Sequence, residues 1–380
     1  MKKIAIVTRK MITGGVERAL IAMLKRFDYS TVEVDLYLEF FGGELFAEIP
    51  GEVNCIQLPT VRGMAAFRHP VSAVRKLVAK TKLSWKRYSY LEQCRLYSQM
   101  LLPVRKVYDI AISYHAPNTV PVFYVIDSIQ AEKKILWLHG DLDTNGGEAE
   151  LARHYHSRYD RIFAVSQYAR NSFLKYHPDR ADQTEVFYNY VDAQGIREKA
   201  VNGTAYSDGY EGIRILTIAR LDAQKGIDLA VDACRELLDR GYSFRWYVCG
   251  EGEARKTLEQ KISDGRMEDC FILLGNQVNP YPFLKDCDLY VQPSRTEGFC
   301  TTTNEAKILG KPVITTAVSG ADEQFRHEKT GWIVPIDAQS IANRVAFCLD
   351  HPEETEKVRK QMELELTDSD EDIFRIFGFE

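Results

Sequence analysis

Residues Glu297 to Glu305, reading Glu-Gly-Phe-Cys-Thr-Thr-Thr-Asn-Glu, decide how this chain is read. Just upstream, Asp288-Leu-Tyr-Val-Gln292 has the apolar run of a short buried strand, and Pro293-Ser294 ends it. Just downstream, Thr301 to Leu309 reads as a helix, with Thr301, Asn304, Glu305 and Ile308 on one side by their i, i+3, i+4, i+7 spacing. The loop between them, Arg295 to Cys300, contains Gly298. One carboxylate, Glu297, therefore stands at a helix mouth, and a second, Glu305, lies about a turn inside. Unpaired amides and the helix dipole at such a mouth attract anions. Amides for a phosphate beside two separate carboxylates for hydroxyls suit a sugar nucleotide. The plain alternative is an acid on a loop and another on a helix, because glutamates at a given separation arise often by chance.

The 380 residues exceed one ordinary core and suit two domains. Hydrophobic content of 45% and charged content of 27% are globular averages; a net charge of -5 gives no whole-chain argument for a nucleic-acid partner, and none is expected. The chain opens directly on the strand-like Lys2-Lys3-Ile4-Ala5-Ile6-Val7, so no secretory signal is expected. No apolar run of about 18 residues occurs to span a bilayer. Eight scattered cysteines with no C-x-x-C pair point to reduced thiols in a cytoplasmic protein, without zinc or disulfides.

In the first half, the strand Ile4–Val7 leads through Gly14-Gly15 into a helix whose apolar positions are Val16, Ala19, Leu20, Met23, Leu24 and Phe27. A glycine pair there lets backbone approach a ligand closely, although the dinucleotide fingerprint G-x-G-x-x-G is absent. Further strands are predicted at Val32–Leu38, Val53–Leu58, Asp109–Ser113, Lys134–Leu138 and Arg161–Val165. Their alternation with helical segments predicts a mostly parallel sheet covered on both faces, with ligands at the carboxyl ends of the strands. His139, in Trp137-Leu-His-Gly-Asp141, stands at such an end; a purely structural histidine is the alternative. Asp141 and Asp143 form a D-x-D with too few ligands for a metal, and none is expected.

The segment from Arg62 to Lys106 carries eleven Lys or Arg against one acid, Glu92. Between Val71 and Tyr88, helical spacing gathers Val71, Val74, Leu77, Val78, Thr81, Trp85 and Tyr88 in one sector and Arg75, Lys76, Lys80, Lys82, Lys86 and Arg87 in the other. A basic amphipathic helix of this kind fits an anionic membrane surface or a lipid-linked acceptor; equally, it fits a helix packed on its domain with a solvated basic face.

Ala200 to Gly212 reads as a linker by composition and separates domains at 1–200 and 201–365, with a last helix at about 366–380 that could pack back on the first. Beyond it the βα rhythm restarts, with strands at Ile213–Ala219, Phe244–Cys249, Phe271–Leu274, Asp288–Gln292, Pro312–Thr316 and Trp332–Val334. Arg220 and Lys225 lie in the loop after the first of these, placed to meet a diphosphate.

Taken together, Gly14-Gly15-Val-Glu17, the His139 loop, Asn189-Tyr-Val-Asp192, Arg220 with Lys225-Gly226, Gly250-Glu-Gly252, Asn279-Pro-Tyr-Pro282 and the E-x7-E pair resemble glycosyltransferase family 4 over nearly the whole chain. The resemblance implies an α/β GT-B architecture, two Rossmann-like domains whose parallel sheets face a central cleft. It implies a retaining glycosyltransferase that takes a sugar from a nucleoside-diphosphate sugar, expected to be UDP-linked, to a glycan or lipid-linked acceptor. Neither cofactor nor metal is implied. Residue by residue, Glu305 would bind the ribose hydroxyls. Arg220 and Lys225 would hold the diphosphate, with Gly14, Gly15, Cys300 and Thr301 at the backbone around it. Glu297, with the amides of Gly298 and Phe299, would hold the sugar hydroxyls, and His139 would touch that sugar. The chain departs from the family at Tyr190, where glycine is frequent, and at Cys300-Thr-Thr-Thr303. Rival readings are a nucleotide-sugar epimerase or hydrolase on the same architecture, a silent sugar-nucleotide-binding partner subunit and, lacking its glycine fingerprint, a dehydrogenase. The expected location is cytoplasmic, at the inner face of the cell membrane.

Overall fold

The computed structural model describes residues 1–59, 70–85, 87–140, 142, 147–365 and 378. The chain divides into two compact units, one formed by Met1–Tyr190 and one beginning at Val191.

The first unit runs β1 (Lys2–Thr8), α1 (Gly15–Leu24), β2 (Val32–Leu38), β3 (Asn54–Gln57), α2 (Pro70–Trp85), α3 (Tyr90–Gln99), β4 (Val107–Ala116), α4 (Val120–Ser128), β5 (Gln130–Leu138), α5 (Gly147–His156), β6 (Arg161–Ala164), α6 (Gln167–Tyr176) and β7 (Thr184–Val186). Its sheet is parallel in the order β3-β2-β1-β4-β5-β6-β7. Central strands covered on both faces must be apolar without alternation. Ile4 to Val7 and Ile135 to Leu138 are accordingly buried throughout. Strand β7 was not expected: three residues, only the first of them buried, give no run long enough to read.

The second unit runs α7 (Ala193–Val201), β8 (Arg214–Ile218), α8 (Ile227–Asp239), β9 (Arg245–Cys249), α9 (Arg255–Asp264), β10 (Phe271–Gly275), α10 (Tyr281–Asp286), β11 (Leu289–Gln292), α11 (Thr301–Ile308), β12 (Val313–Thr316), α12 (Ala321–Gln324), β13 (Trp332–Val334), α13 (Ala338–Asp350) and α14 (Pro352–Leu364). Its sheet is parallel in the order β10-β9-β8-β11-β12-β13. In each sheet the chain winds outward from one strand and then returns to that strand's other side. The reversal lies between β1 and β4 in the first unit and between β8 and β11 in the second. Ligand crevices of open α/β sheets open at the carboxyl ends of such a strand pair.

The stretch 200–212, linker-like by composition, is fastened to the second unit. Tyr206 donates its hydroxyl to the Phe283 carbonyl at 2.9 Å, and Asp208 accepts from Arg245 at 2.7 Å and from the Tyr247 hydroxyl. Burial opposes ionisation of Asp208, yet Tyr247, the Tyr210 amide and Arg245 together hold its carboxyl down at about 2. Helix α7 belongs with this unit as well, since Ile196 and Ala200 share a core with Tyr281, Tyr290 and Ala306.

In α2, Val74, Leu77 and Val78 are 61%, 67% and 46% exposed, while Ala79 is buried, so the helix does not pack through the apolar sector read from its spacing. Residues 60–69 and 86 of the basic segment, Asp141, Asp143 and, apart from Gly378, the expected helix at 366–380 lie outside the described residues. So do the side chains of Val71, Arg75 and Trp85. All eight cysteines are free thiols. Among the described residues no helix is long and apolar enough to cross a membrane, and no group of three or more metal-ligating side chains occurs.

Candidate active site

The loops after β8 and β11 meet at the strand reversal of the second unit. Asp222 accepts from the amides of Gln224 and Lys225 at 3.0 and 3.1 Å, which folds the first loop into a single 3-10 turn, Ala223–Lys225. Gly226 ends that turn with φ +62, and a Cβ there would stand 2.1 Å from the Pro293 carbonyl oxygen, so only glycine lets the two loops touch. Arg295 of the second loop donates its amide to the Gln224 carbonyl at 2.7 Å and its guanidinium to Asp228 through two 2.6 Å bonds, holding that carboxyl below the usual range. Gly250 and Gly252 crowd the same turn from β9, their absent Cβ atoms falling 1.8 Å from the Ala219 oxygen and 2.3 Å from the Leu221 oxygen.

These clamps bring Lys225 onto Glu297. The ammonium lies 2.8 and 2.7 Å from the two carboxylate oxygens, and Ser294 donates to Oε1 at 2.6 Å. Glu297 is almost wholly buried, so its charge is tolerable because it is paired and hydrogen-bonded. Arg220 is placed otherwise: it is 65% exposed and pairs with Asp222 at 3.2 Å.

Helix α11 starts at Thr301 with Cys300 as an extended N-cap residue that makes no side-chain cap bond. The helix buries Thr303, Glu305 and Ala306, so of the side read off Thr301, Asn304, Glu305 and Ile308 only Glu305 is buried. The Thr303 hydroxyl shares its one hydrogen between the Cys300 carbonyl and Gln324 Oε1, and Gln324 of α12 donates its amide to the Cys300 carbonyl at 3.0 Å. Cys300 is itself buried, and burial pushes its thiol up to about 11. Gly298 and Phe299 are half-buried between Glu297 and this N-terminus. Glu305 is 3% exposed and accepts from the Tyr281 hydroxyl at 3.0 Å. Tyr281 stands in Asn279-Pro-Tyr-Pro282, 24 residues from Glu305, and spacing alone does not pair the two. The signal was a tyrosine beside two prolines at a helix start, in a segment that Asn279 ties to α7 through the Lys199 carbonyl at 2.8 Å.

At the reversal of the first unit, Gly14 is the extended N-cap residue of α1, and Gly15 its first residue. Neither needs a left-handed backbone, and a Cβ on Gly14 would meet only the carboxylate end of Glu17, which is buried against it. His139 follows β5, its ring 4.6 Å from that of Tyr114. The ring is buried, and burial followed by the nearby His115 pushes its pKa well below the usual value against an opposing contact to the Tyr114 backbone. His115, at the end of β4, is lowered to about 4 by burial and by Arg9. Behind them, His156 Nε2 donates to the Pro117 carbonyl at 3.1 Å, which leaves its Nδ1 to accept from His177 Nε2 at 3.2 Å; both rings are buried. Tyr190, at a position where the family favours glycine, is buried beneath the Arg26 guanidinium at 4.6 Å and against Phe187.

Comparison with known proteins follows the same division. Residues 13–194 match the family model described as Glycosyltransferase Family 4, and residues 210–364 match that described as Glycosyl transferases group 1. The chain is 31% identical over 264 residues to the putative colanic acid biosynthesis glycosyltransferase WcaL of Escherichia coli, covering 65% of this chain and 63% of that protein. It is 34% identical over 161 residues to the amylovoran biosynthesis glycosyltransferase AmsK of Erwinia amylovora, covering 40% of each. To the Campylobacter jejuni N-acetylgalactosamine-N,N'-diacetylbacillosaminyl-diphospho-undecaprenol 4-alpha-N-acetylgalactosaminyltransferase it is 29% identical, covering 41% of each. The chain thus spans less than two thirds of the length of each of these curated relatives. Among solved structures, Anabaena HepE in complex with UDP and glucose superposes with a TM-score of 0.71 at 20% identity, covering 96% of this chain and 94% of that one.

Proposed function

The chain is a glycosyltransferase-family-4-like protein of GT-B architecture, and on that premise we propose that it moves a sugar from a UDP-sugar to a glycan or lipid-linked acceptor, with retention of anomeric configuration, in bacterial cell-surface polysaccharide assembly. The carrying observation is the Lys225–Glu297 pair at the β8/β11 reversal, next to a helix whose second glutamate, Glu305, is buried. The relatives' names point to polysaccharide assembly, and one of them to a diphospho-undecaprenol acceptor.

Under this reading Lys225 and Arg220 neutralise the diphosphate as it leaves, aided by the N-terminus of α11 at Cys300 and Thr301 and by the backbone at Gly14 and Gly15. Charge develops on that leaving group in the transition state, so fixed cations and amides lower the barrier most. Glu297, with the amides of Gly298 and Phe299, accepts from and orients the sugar hydroxyls. Glu305 takes the ribose hydroxyls. His139, kept neutral by burial, contacts the sugar as an uncharged hydrogen-bonding group. The acceptor oxygen attacks from the face the diphosphate leaves, with no protein nucleophile. The protein works in the cytoplasm at the inner membrane face, where the exposed Val74, Leu77 and Val78 of α2 meet the bilayer and Lys80, Lys82 and Arg87, also exposed, meet anionic headgroups.

The test is to screen UDP- and GDP-sugars for binding and then offer the best donor to lipid-linked acceptors, reading the product's anomeric configuration by NMR. A retained product supports the reading, and an inverted product removes retention. Turnover of donor without acceptor makes the protein an epimerase or hydrolase. Glu305→Ala should weaken nucleotide affinity by about 1–3 kcal/mol through loss of charged hydrogen bonds; unchanged affinity takes Glu305 out of the site.

A further inference from the structure

Behind Glu297 runs a chain of buried polar side chains. Ser294 Oγ donates to Glu297 Oε1 at 2.6 Å. Gln292 Nε2 lies 2.9 Å from Ser294 Oγ, and Gln292 Oε1 lies 2.6 Å from the Tyr290 hydroxyl and 3.2 Å from Thr302 Oγ1. Ser294, Gln292 and Tyr290 are each at most 1% exposed. Thr316 pins the backbone beneath them, reaching the Ser294 carbonyl at 2.5 Å.

Counting protons fixes the direction of this chain. Ser294 has one hydroxyl hydrogen, and the carboxylate beside it can only accept. That hydrogen therefore goes to Glu297, and Ser294 must accept from Gln292, which sets the amide with its NH2 toward Ser294 and its oxygen toward Tyr290 and Thr302. The opposite amide orientation would face the carbonyl oxygen to a serine whose only hydrogen is already spent. Tyr290 and Thr302 thus anchor Gln292, Gln292 orients Ser294, and Ser294 polarises toward Glu297 in one direction, an arrangement in which each bond strengthens the next.

We infer that Ser294 is a positioning residue for Glu297, supported in turn by Gln292, and that together they fix the carboxylate to receive the transferred sugar's hydroxyls. The inference rests on the reading of Glu297 given above. In the structure Lys225 bonds to both Glu297 oxygens. As a diphosphate arrives, the three-donor ammonium shares itself with the phosphates, and the Ser294 bond on Oε1 keeps the carboxylate from turning while Oε2 accepts from the sugar. Ser294 acts on the sugar through Glu297 and has no part in holding the nucleotide.

Titration calorimetry tests this with two probes per variant: whichever of UDP-glucose, UDP-galactose, UDP-N-acetylglucosamine or GDP-mannose binds the unaltered protein tightest, and its parent nucleoside diphosphate. Ser294→Ala should weaken the sugar nucleotide about tenfold, as for a hydrogen bond to a charged group, and leave the nucleoside diphosphate within about twofold. Ser294→Thr, which keeps the hydroxyl, should restore the sugar nucleotide. Equal loss of both probes would mark a merely structural serine and overturn the inference, as would no loss of either. Should Ser294→Ala fail to fold, Gln292→Met reports instead, because it leaves the hydroxyl without its donor; an unsplit loss there overturns the inference equally. An unaltered protein that binds none of the four donors nor UDP or GDP would overturn the proposed function, and the inference with it.

Discussion

The carboxyl ends of the two sheets are finished differently. In the second unit, Lys225, Glu297, Ser294, Gln292, Tyr290, Thr303 and Gln324 satisfy one another over short distances, and two loops are clamped together at Gly226. In the first unit, Thr8 Oγ1 and His115 Nδ1 are buried with no hydrogen-bonding partner among the described residues. A buried polar group left without a partner costs about 1–3 kcal/mol. One end is held by hydrogen bonds among its own side chains; the other keeps buried polar atoms outside such a network.

The sharpest way to break this contrast is to substitute the glycines. Gly226→Val adds a β-branched side chain at φ +62 and drives its Cβ into the Pro293 carbonyl, so unfolding of the second unit in urea should show a loss of about 3 kcal/mol or more. A smaller loss would mean that the loops part easily and the clamp is loose.

Acid should separate the units next. Burial holds His156 at about 3 and His177 and His115 at about 4, all below the usual 6.5. Their neutral forms contribute stability that is complete above pH 6.5 and is lost as pH falls from there toward the folded values, because the unfolded chain binds the protons first. Between pH 7 and pH 5 the first unit should lose about 2 kcal/mol or more on this account. In the second unit the depressed Asp208 and Asp228 act only below the ordinary carboxylate range. Hydrogen exchange at pH 7 and pH 5 reads each unit separately, and equal loss in both would refute the contrast. The smallest effect is expected at Gly14→Ala: the backbone is extended there and the added methyl meets only the movable end of Glu17. Thermal or urea unfolding should shift by less than about 1 kcal/mol.

The strands were legible because buried parallel strands carry continuous apolar runs, as Ile4 to Val7 and Leu289 to Val291 do. Edge strand β7 carries no such run and was missed. Both site glutamates were visible as a spacing, yet their partners were not, since Lys225 lies 72 residues from Glu297 and Tyr281 lies 24 from Glu305. Only the fold brings such residues together. Helix α11 shows the limit within a single element. Spacing grouped Thr301, Asn304, Glu305 and Ile308, yet of these only Glu305 is buried, alongside Thr303 and Ala306. Composition misled at 200–212, where Gly and Ser imply freedom while Tyr206 and Asp208 remove it.

That fastening has a practical edge. A protease seeking a cut near the middle of the chain would meet Tyr206 and Tyr210 with the guanidinium of Arg214 over both rings, and Arg214 itself ion-paired to Asp208. The peptide bonds that look softest on paper should be among the slower ones to nick.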